Sequence, residues 1–350
     1  MKREDSKLEA VRKALGELSI AVIGYGIQGR AQARNLRDSG LDVRVGLRPG
    51  GLSWAAARED GWKPRSIPRA ARGADLVALL VPDSAHERVF AEEVAPALQP
   101  GATLVLAHGF SVQYRRITPR ADLDVVLVAP KVSGSLVREL FLARRGVPCL
   151  VAVHRDPRDR ALLRARAFAR AIGATGASVI ESSFAEETET DLFGEQAVMV
   201  GGLTELLTAG YETLVEAGYR PELAYLECFH KLKLVADQVY DGGLARLHRS
   251  VSETARYGDL TRGPRVINDE TRARMREVLD EIRSGSFARE WIEEHGAGRP
   301  NYERLMTSER VHPSEVAGRK LRWRMSQHRE DADDGPAHRW SQRCRGCWKE

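Results

Sequence analysis

Gly24-Tyr25-Gly26-Ile27-Gln28-Gly29 stands between a short aliphatic run, Ser19 to Ile23, and an Ala/Arg-rich stretch, Arg30 to Ser39. A G-x-G-x-x-G with a strand before it and a helix after it is the pattern of a dinucleotide-binding loop. The first glycine permits the tight turn, the second lets the backbone approach a pyrophosphate, and the third lets helix and strand pack closely. The free N–H groups of the following helix then face the phosphates. The end of the second strand distinguishes NAD from NADP, and here it reads Gly46-Leu47-Arg48-Pro49-Gly50-Gly51-Leu52-Ser53, without a carboxylate. An Arg48 fork and a Ser53 hydroxyl suit the oxygens of a 2′-phosphate, so NADPH is the expected cofactor.

The second chemical group is acidic. Asp191 and Glu195 are spaced i, i+4 and share a helical face. Their repulsion is relieved by a cation, for which Mg²⁺ with oxygen ligands is the usual solution; the alternative is an acidic helix start favoured by the macrodipole. Glu227 lies among Tyr225, Leu226, Cys228 and Phe229. Buried there, it would need a metal or a cation; on the outer face of its helix it would simply meet water. His108 follows the run Thr103 to Leu106 and precedes Gly109-Phe110, at the carboxyl end of a parallel strand, the edge where such sheets bind ligands. A lone histidine there is either structural or functional.

These residues need a framework, and the hydrophobic pattern predicts one. The apolar runs Ser19–Ile23, Asp42–Leu47, Asp75–Val81, Thr103–Leu106, Val125–Val128 and Cys149–Val153 alternate with Ala/Arg/Glu-rich helical stretches. Strands apolar nearly throughout are buried on both faces, as in a parallel sheet of βαβ units. From Phe184 the segments turn helical: Thr190–Thr208, Leu223–Tyr240, Asp269–Ser284 and Phe287–Glu294, separated by glycine and proline. The expected architecture is α/β, a Rossmann-type doubly wound parallel sheet over 1–182, followed by an all-α domain over 183–325 and a disordered tail over 326–350. The tail's Cys344-Arg-Gly-Cys347 is a lone CxxC, and His338 is too isolated to complete a zinc site.

Composition narrows the classes. With 43% hydrophobic and 29% charged residues among 350, the chain is neither collagenous nor disordered. No apolar run approaches the roughly 20 residues of a membrane span, and Met1 to Leu18 lacks the apolar core of a secretory signal, so a cytoplasmic protein is expected. The net charge of +5 comes from interspersed signs, which does not indicate a nucleic-acid surface. A small-molecule substrate is the expected partner.

Taken together, Gly24-Tyr25-Gly26 with Gln28-Gly29, Ala107-His108-Gly109-Phe110, Ala129-Pro130-Lys131, the stretch Glu186 to Gln196, and Thr254-Ala255 with Tyr257-Gly258-Asp259 resemble the short bacterial type of ketol-acid reductoisomerase, from Ser19 to about Arg324. The resemblance implies an enzyme of branched-chain amino-acid synthesis that uses NADPH and two Mg²⁺, with a knotted helical domain and homodimers or higher oligomers sharing active sites. It further implies that His108 and Lys131 are catalytic, that Asp191, Glu195 and Glu227 bind metal, and that Ser252 contacts substrate. Asp83, Ser84, Ala85 and His86, with Gly134, would line the cofactor.

Departures from the family pattern bear on the reaction. One helical turn after Glu227, where the family has a fourth metal-binding glutamate, stands Lys231. Three carboxylates and one ammonium sum to −2, which one Mg²⁺ balances, and an ammonium beside a second dication is repulsive even at an effective dielectric of about 20. Lys231 is therefore expected to displace the second ion or to swing away from it. Lys131-Val132-Ser133-Gly134-Ser135, Arg30, Gln32 and Gly51 are further departures. Alkyl migration needs charge held on both ketol oxygens, the task of a two-metal clamp, whereas reduction needs one polarised carbonyl. The expected activity is NADPH- and Mg²⁺-dependent reduction of a 2-acetohydroxy or 2-keto acid, with or without migration, with an altered substrate or only the reductive half retained because Lys231 disrupts the two-metal site. The alternatives are ordinary ketol-acid reductoisomerase activity, with Glu222 or Glu253 reaching the vacant position, and a non-catalytic homologue kept for binding or assembly.

Overall fold

The computed structural model describes residues 11, 13–175 and 178–327; the tail with Cys344 and Cys347 lies outside them. Its contacts divide the chain into two units, Met1–Phe193 with Leu279–Ile292, and Gly194–Val278 with Glu293–Glu350.

The first unit is built on β1 (Ser19–Ile23), α1 (Ile27–Asp38), β2 (Asp42–Gly46), α2 (Leu52–Glu59), α3 (Ile67–Ala71), β3 (Leu76–Leu79), α4 (Asp83–Val89), β4 (Thr103–Leu106), α5 (Phe110–Gln113), β5 (Asp124–Pro130), α6 (Gly134–Leu142), β6 (Cys149–Arg155), α7 (Ala161–Ala171), β7 (Val179–Glu181) and α8 (Phe184–Phe193). Its seven strands form one sheet in the order β2-β1-β3-β4-β5-β6-β7. β1, β3 and β4 are buried almost throughout because helices cover both faces, which is why their sequences are apolar without alternation. Two cores result. On one face Ile20, Val22, Val105 and Val126 pack with Leu36 of α1 and Phe168 of α7; on the other Ile23, Leu79, Leu104 and Leu127 pack with Val89 and Phe90.

The chain changes direction between β1 and β3, and a crevice opens at such a reversal outside the carboxyl ends of the strands. Two features depart from a purely parallel reading. β6 runs antiparallel to β5, with Pro130 opposite Cys149. Lys131 N donates to the Pro148 carbonyl at 2.9 Å, so the chain re-enters the sheet at the end it had just left. β7, three residues long, adds a parallel edge that its weak apolar character did not announce.

The second unit is helical: α9 (Gly201–Glu216), α10 (Pro221–Tyr225), α11 (Leu232–Ser250), α12 (Glu253–Val266), α15 (Pro300–Val311) and α16 (Pro313–Gln327). The segments α13 (Asp269–Arg283) and α14 (Ser286–Gly296) carry the chain into the first unit and back. Tyr211, Ala224, Tyr225 and Ala317 form its small core, with Phe229 stacked on Tyr225 at 5.1 Å. Over Gly194–Met199 and Leu226–His230 the helices widen to i→i+5 bonding, as in Val200 N to Glu195 O at 3.0 Å. At Gly242 and Gly243 α11 leaves helical geometry. Among the described residues no helix is long and apolar enough to cross a membrane.

Beneath the sheet, fully buried Asp124 joins three elements. Its Oδ2 accepts from Thr103 Oγ1 and from Arg160 Nε, both at 3.1 Å, and lies 3.6 Å from Arg164 Nη1. Removing the anion would leave Arg160 with the Gly101 carbonyl and Arg164 with Thr103 Oγ1 but without a counter-charge, a loss of about 3 kcal/mol, the low end for a broken buried pair because Arg160 is a third exposed. Asp124→Ala is expected to lower the urea midpoint, and with it the unfolding free energy by about that amount, and an unchanged midpoint would show that the cluster contributes nothing.

Candidate active site

The sheet's carboxyl edge carries the glycine-rich loop. Gly24 has φ +103°, and a Cβ there would lie 2.4 Å from the Leu80 carbonyl oxygen. A Cβ on Gly29 would lie 2.4 Å from the Gly24 oxygen, whereas Gly26 faces open space. The first and third glycines are thus required by packing, and the second leaves room beside the amino terminus of α1. Buried Gly134 closes the far side, since its Cβ would meet the Ile27 oxygen at 2.1 Å. Gln28 Nε2 donates to the Val132 carbonyl at 3.0 Å. A backbone cradle with free N–H groups and open space over its middle glycine fits a pyrophosphate. Arg48, just after β2, is exposed, and Ser53 lies half-buried in the first turn of α2.

An ion cluster absent from the sequence reading braces this loop. Tyr25 is buried; its hydroxyl donates to Asp60 Oδ2 at 2.8 Å and accepts from Trp62 Nε1 at 2.7 Å. Arg30 grips the same carboxylate through Nε at 2.7 Å and Nη2 at 3.0 Å. That grip holds the Asp60 carboxyl at about 2, while burial and Asp60 push the Tyr25 phenol upward. Asp60 caps α2, so the carboxylate ties the helix bearing Ser53 to the dinucleotide loop.

At the same edge His108 lies two residues beyond β4, Lys131 directly follows β5, and one face of α8 presents Glu187 and Asp191. Lys131 Nζ bridges Glu187 Oε1 and Asp191 Oδ1, each at 2.7 Å. Glu187 is only 1% exposed, and its other oxygen accepts from the Gly109 amide at 2.9 Å. His108 Nδ1 lies 3.3 Å from Asp83 Oδ2, and Nε2 lies 3.5 Å from Asp191 Oδ2. Burial lowers the His108 pKa, but Asp83, Glu187 and Asp191 more than reverse this and raise it. Burial likewise works against the Lys131 ammonium, and Asp191 and Glu187 outweigh it.

Ligand atoms of His108, Glu187 and Asp191 lie within 4.8 Å of one another. Their carboxylate oxygens suit a hard cation. Among the described residues, buried His108 Nε2 has no hydrogen-bond partner, the mark of a position that a water, ion or substrate oxygen completes. The donor set therefore fits Mg²⁺ at Asp191. Glu187 was not singled out from the sequence, although it stands four residues before Asp191, the same spacing that drew attention to Glu195.

Around the site Asp83 and Ala85 are half-buried, Ser84 is exposed and His86 is buried. The remaining expected ligands belong to the helical unit. Glu195 is exposed in the first widened turn. Glu227 is 57% exposed and paired with Lys231 Nζ at 2.5 Å across one helical turn, so of its two readings the water-facing one describes its surroundings within this chain. Ser252 is exposed and caps α12, its Oγ accepting from Ala255 N at 3.2 Å.

A glycine cradle at the strand reversal, with a histidine, a lysine and two carboxylates along the same edge, defines a dinucleotide-binding protein equipped for carbonyl chemistry. Comparison with known proteins resolves the class further. The model of the acetohydroxy acid isomeroreductase NADPH-binding domain matches residues 14–178, and that of the ketol-acid reductoisomerase C-terminal domain matches residues 184–327. The chain is 51% identical over 320 residues to ketol-acid reductoisomerase (NADP(+)) of Xylella fastidiosa strain Temecula1, covering 91% of each. It is 52% identical over 306 residues to that of Xanthomonas axonopodis pv. citri strain 306, covering 87% of this chain and 92% of the relative. The solved structure of an NADH-preferring ketol-acid reductoisomerase from an uncultured archean superimposes with a TM-score of 0.85 at 41% identity, covering 88% of this chain and 95% of that one. The chain belongs to the ketol-acid reductoisomerase family.

One pH dependence follows from His86. Burial depresses its pKa below the ordinary 6.5, so the folded state disfavours the imidazolium. Its stabilising contribution is complete above about 6.5 and is lost as pH falls through the depressed folded value. Urea melts of the wild type and of His86→Gln at pH 8 and pH 5.5 are expected to show a larger acid loss in the wild type; parallel losses would exclude His86 as the source.

Proposed function

We propose that the chain is an NADPH- and Mg²⁺-dependent enzyme that reduces a 2-acetohydroxy acid or a 2-keto acid, with alkyl migration weakened or lost. The observation that carries this reading is Lys131 clamped between Glu187 and Asp191 beside the orphaned Nε2 of His108, in a chain of this family. NADPH supplies the hydride and Mg²⁺ the electrophilic assistance to the carbonyl. Asp191 is the residue best placed to hold the metal, with Glu195 and Glu227 as further ligands and Ser252 as a substrate contact. His108 presents Nε2 for proton exchange with a substrate oxygen. Lys131 holds the two carboxylates in register and supplies a positive charge near developing oxyanions. Gly24 to Gly29, Asp83 to His86 and Gly134 form the cofactor cradle, with Arg48 and Ser53 at the 2′-phosphate.

The reductive bias rests on Lys231. Its ammonium lies against the carboxylate of Glu227 and so competes with a cation for that ligand. Ordinary ketol-acid reductoisomerase activity remains the second reading, supported by identity of about half with relatives that bear the name. We further place residues 1–182 as the cofactor-binding half and 183–325 as the helical half of a cytoplasmic homodimer or larger assembly. Exposed Leu234, Val235, Val239, Tyr240 and Leu244 of α11 are consistent with burial in such an assembly.

The test is NADPH oxidation with 2-acetolactate and with a 3-hydroxy-2-keto acid, each across a Mg²⁺ titration. The keto acid is expected to turn over at least about tenfold faster than acetolactate, and Lys231→Glu to close the gap by restoring a carboxylate. Efficient acetolactate turnover by the wild type, with two Mg²⁺ bound per site, would defeat the reductive bias and leave the family's full reaction. Cofactor binding without either activity would point to another substrate, and no cofactor binding to a non-catalytic homologue.

A further inference from the structure

Asp83 opens α4 just beyond β3, and its two oxygens face two histidines. Oδ2 lies 3.3 Å from His108 Nδ1, and Oδ1 lies 3.7 Å from His86 Nδ1. The His86 ring is already committed elsewhere. Its Nε2 lies 2.9 Å from the Val81 carbonyl, which can only accept, and its Nδ1 lies 2.8 Å from Ser111 Oγ. With the ring 2% exposed and burial disfavouring its charged form, Nε2 carries the proton and Nδ1 accepts from the serine hydroxyl. His86 therefore gives no proton to Asp83. Among the described residues the carboxylate is left to one side-chain donor within hydrogen-bonding distance, His108.

We propose that Asp83 is a positioning residue whose carboxylate accepts a hydrogen bond from His108 Nδ1–H, fixing the tautomer and ring plane that turn Nε2 toward Asp191 and the substrate. The expectation that Asp83 lines the cofactor assigned its side chain no such task. A carboxylate behind one ring nitrogen determines what the other can do. Here the other nitrogen is buried, without a hydrogen-bond partner, and 3.5 Å from Asp191 Oδ2. His86 and Ser111 act one step further back: by satisfying each other, they keep the second histidine from competing for Asp83. The inference rests on the reading of His108 as the proton-exchanging group of the site.

The test uses the full chain with ¹⁵N-labelled histidine. The His108 resonances, identified by their loss in His108→Gln, are expected to show a proton on Nδ1 in the wild type, whether or not Nε2 also carries one; a bare Nδ1 would overturn the proposal. This readout needs no turnover, so it decides the Asp83 contact even if the substrate assignment fails. In Asp83→Asn, kcat at saturating NADPH is expected to fall about 100-fold, the upper range for loss of an outer-shell partner. Asp83→Glu is expected to recover about tenfold of that loss. Unchanged kcat in Asp83→Asn would overturn the proposal, as would retention of the wild-type His108 tautomer in that variant.

Discussion

The site depends on keeping one nearly inaccessible carboxylate charged. Glu187 is 1% exposed, and an ion so far from water persists only with full compensation. The Gly109 amide and the Lys131 ammonium provide it. These partners sit at the ends of β4 and β5, and Glu187 sits on α8, so a single electrostatic requirement draws three distant stretches of chain to one point. His108 neighbours the amide, and Asp191 shares the ammonium; their relative placement follows from the same requirement.

The cofactor end obeys a similar logic with different materials. Asp60 collects Tyr25, Arg30 and, at 4.0 Å, Arg34, while Arg37 stacks over Trp62 and bonds the Asp60 carbonyl. α1 thus directs several guanidinium groups toward the end of α2. That leaves the amide groups at the amino terminus of α1 as the positive element nearest the open middle glycine.

Much of this was legible in the residues. The strands announced themselves by continuous apolar runs, the glycine loop by its context, and His108 by its place after a buried strand. Glu187 was hidden because helical periodicity groups Glu187, Asp191 and Glu195 on one ladder without saying which rungs meet another element. The antiparallel β6 was hidden because a buried strand reads alike in either direction. The Asp60 cluster joins residues 25, 30 and 62, whose meeting depends on the length of the α2 connection. For Glu227 the pattern left burial and exposure open, and the i, i+4 pair with Lys231 explains how its charge is satisfied at the surface of its helix.

The widened turns at Gly194–Met199 and Leu226–His230 carry an implication for how such a helix evolves. Each is equivalent to one residue slipped into an otherwise regular spiral, and functional sites are a frequent setting for such insertions. In a regular helix one extra residue would rotate everything beyond it by roughly 100°, a single residue's share of a turn, whereas a widened turn absorbs it locally. Glu195 and Glu227 both lie inside these irregular turns, so their direction is set by a local accident of winding and can be re-aimed without disturbing the apolar stripe on either side. A lineage can in this way redirect an acidic side chain while leaving its neighbours' packing intact.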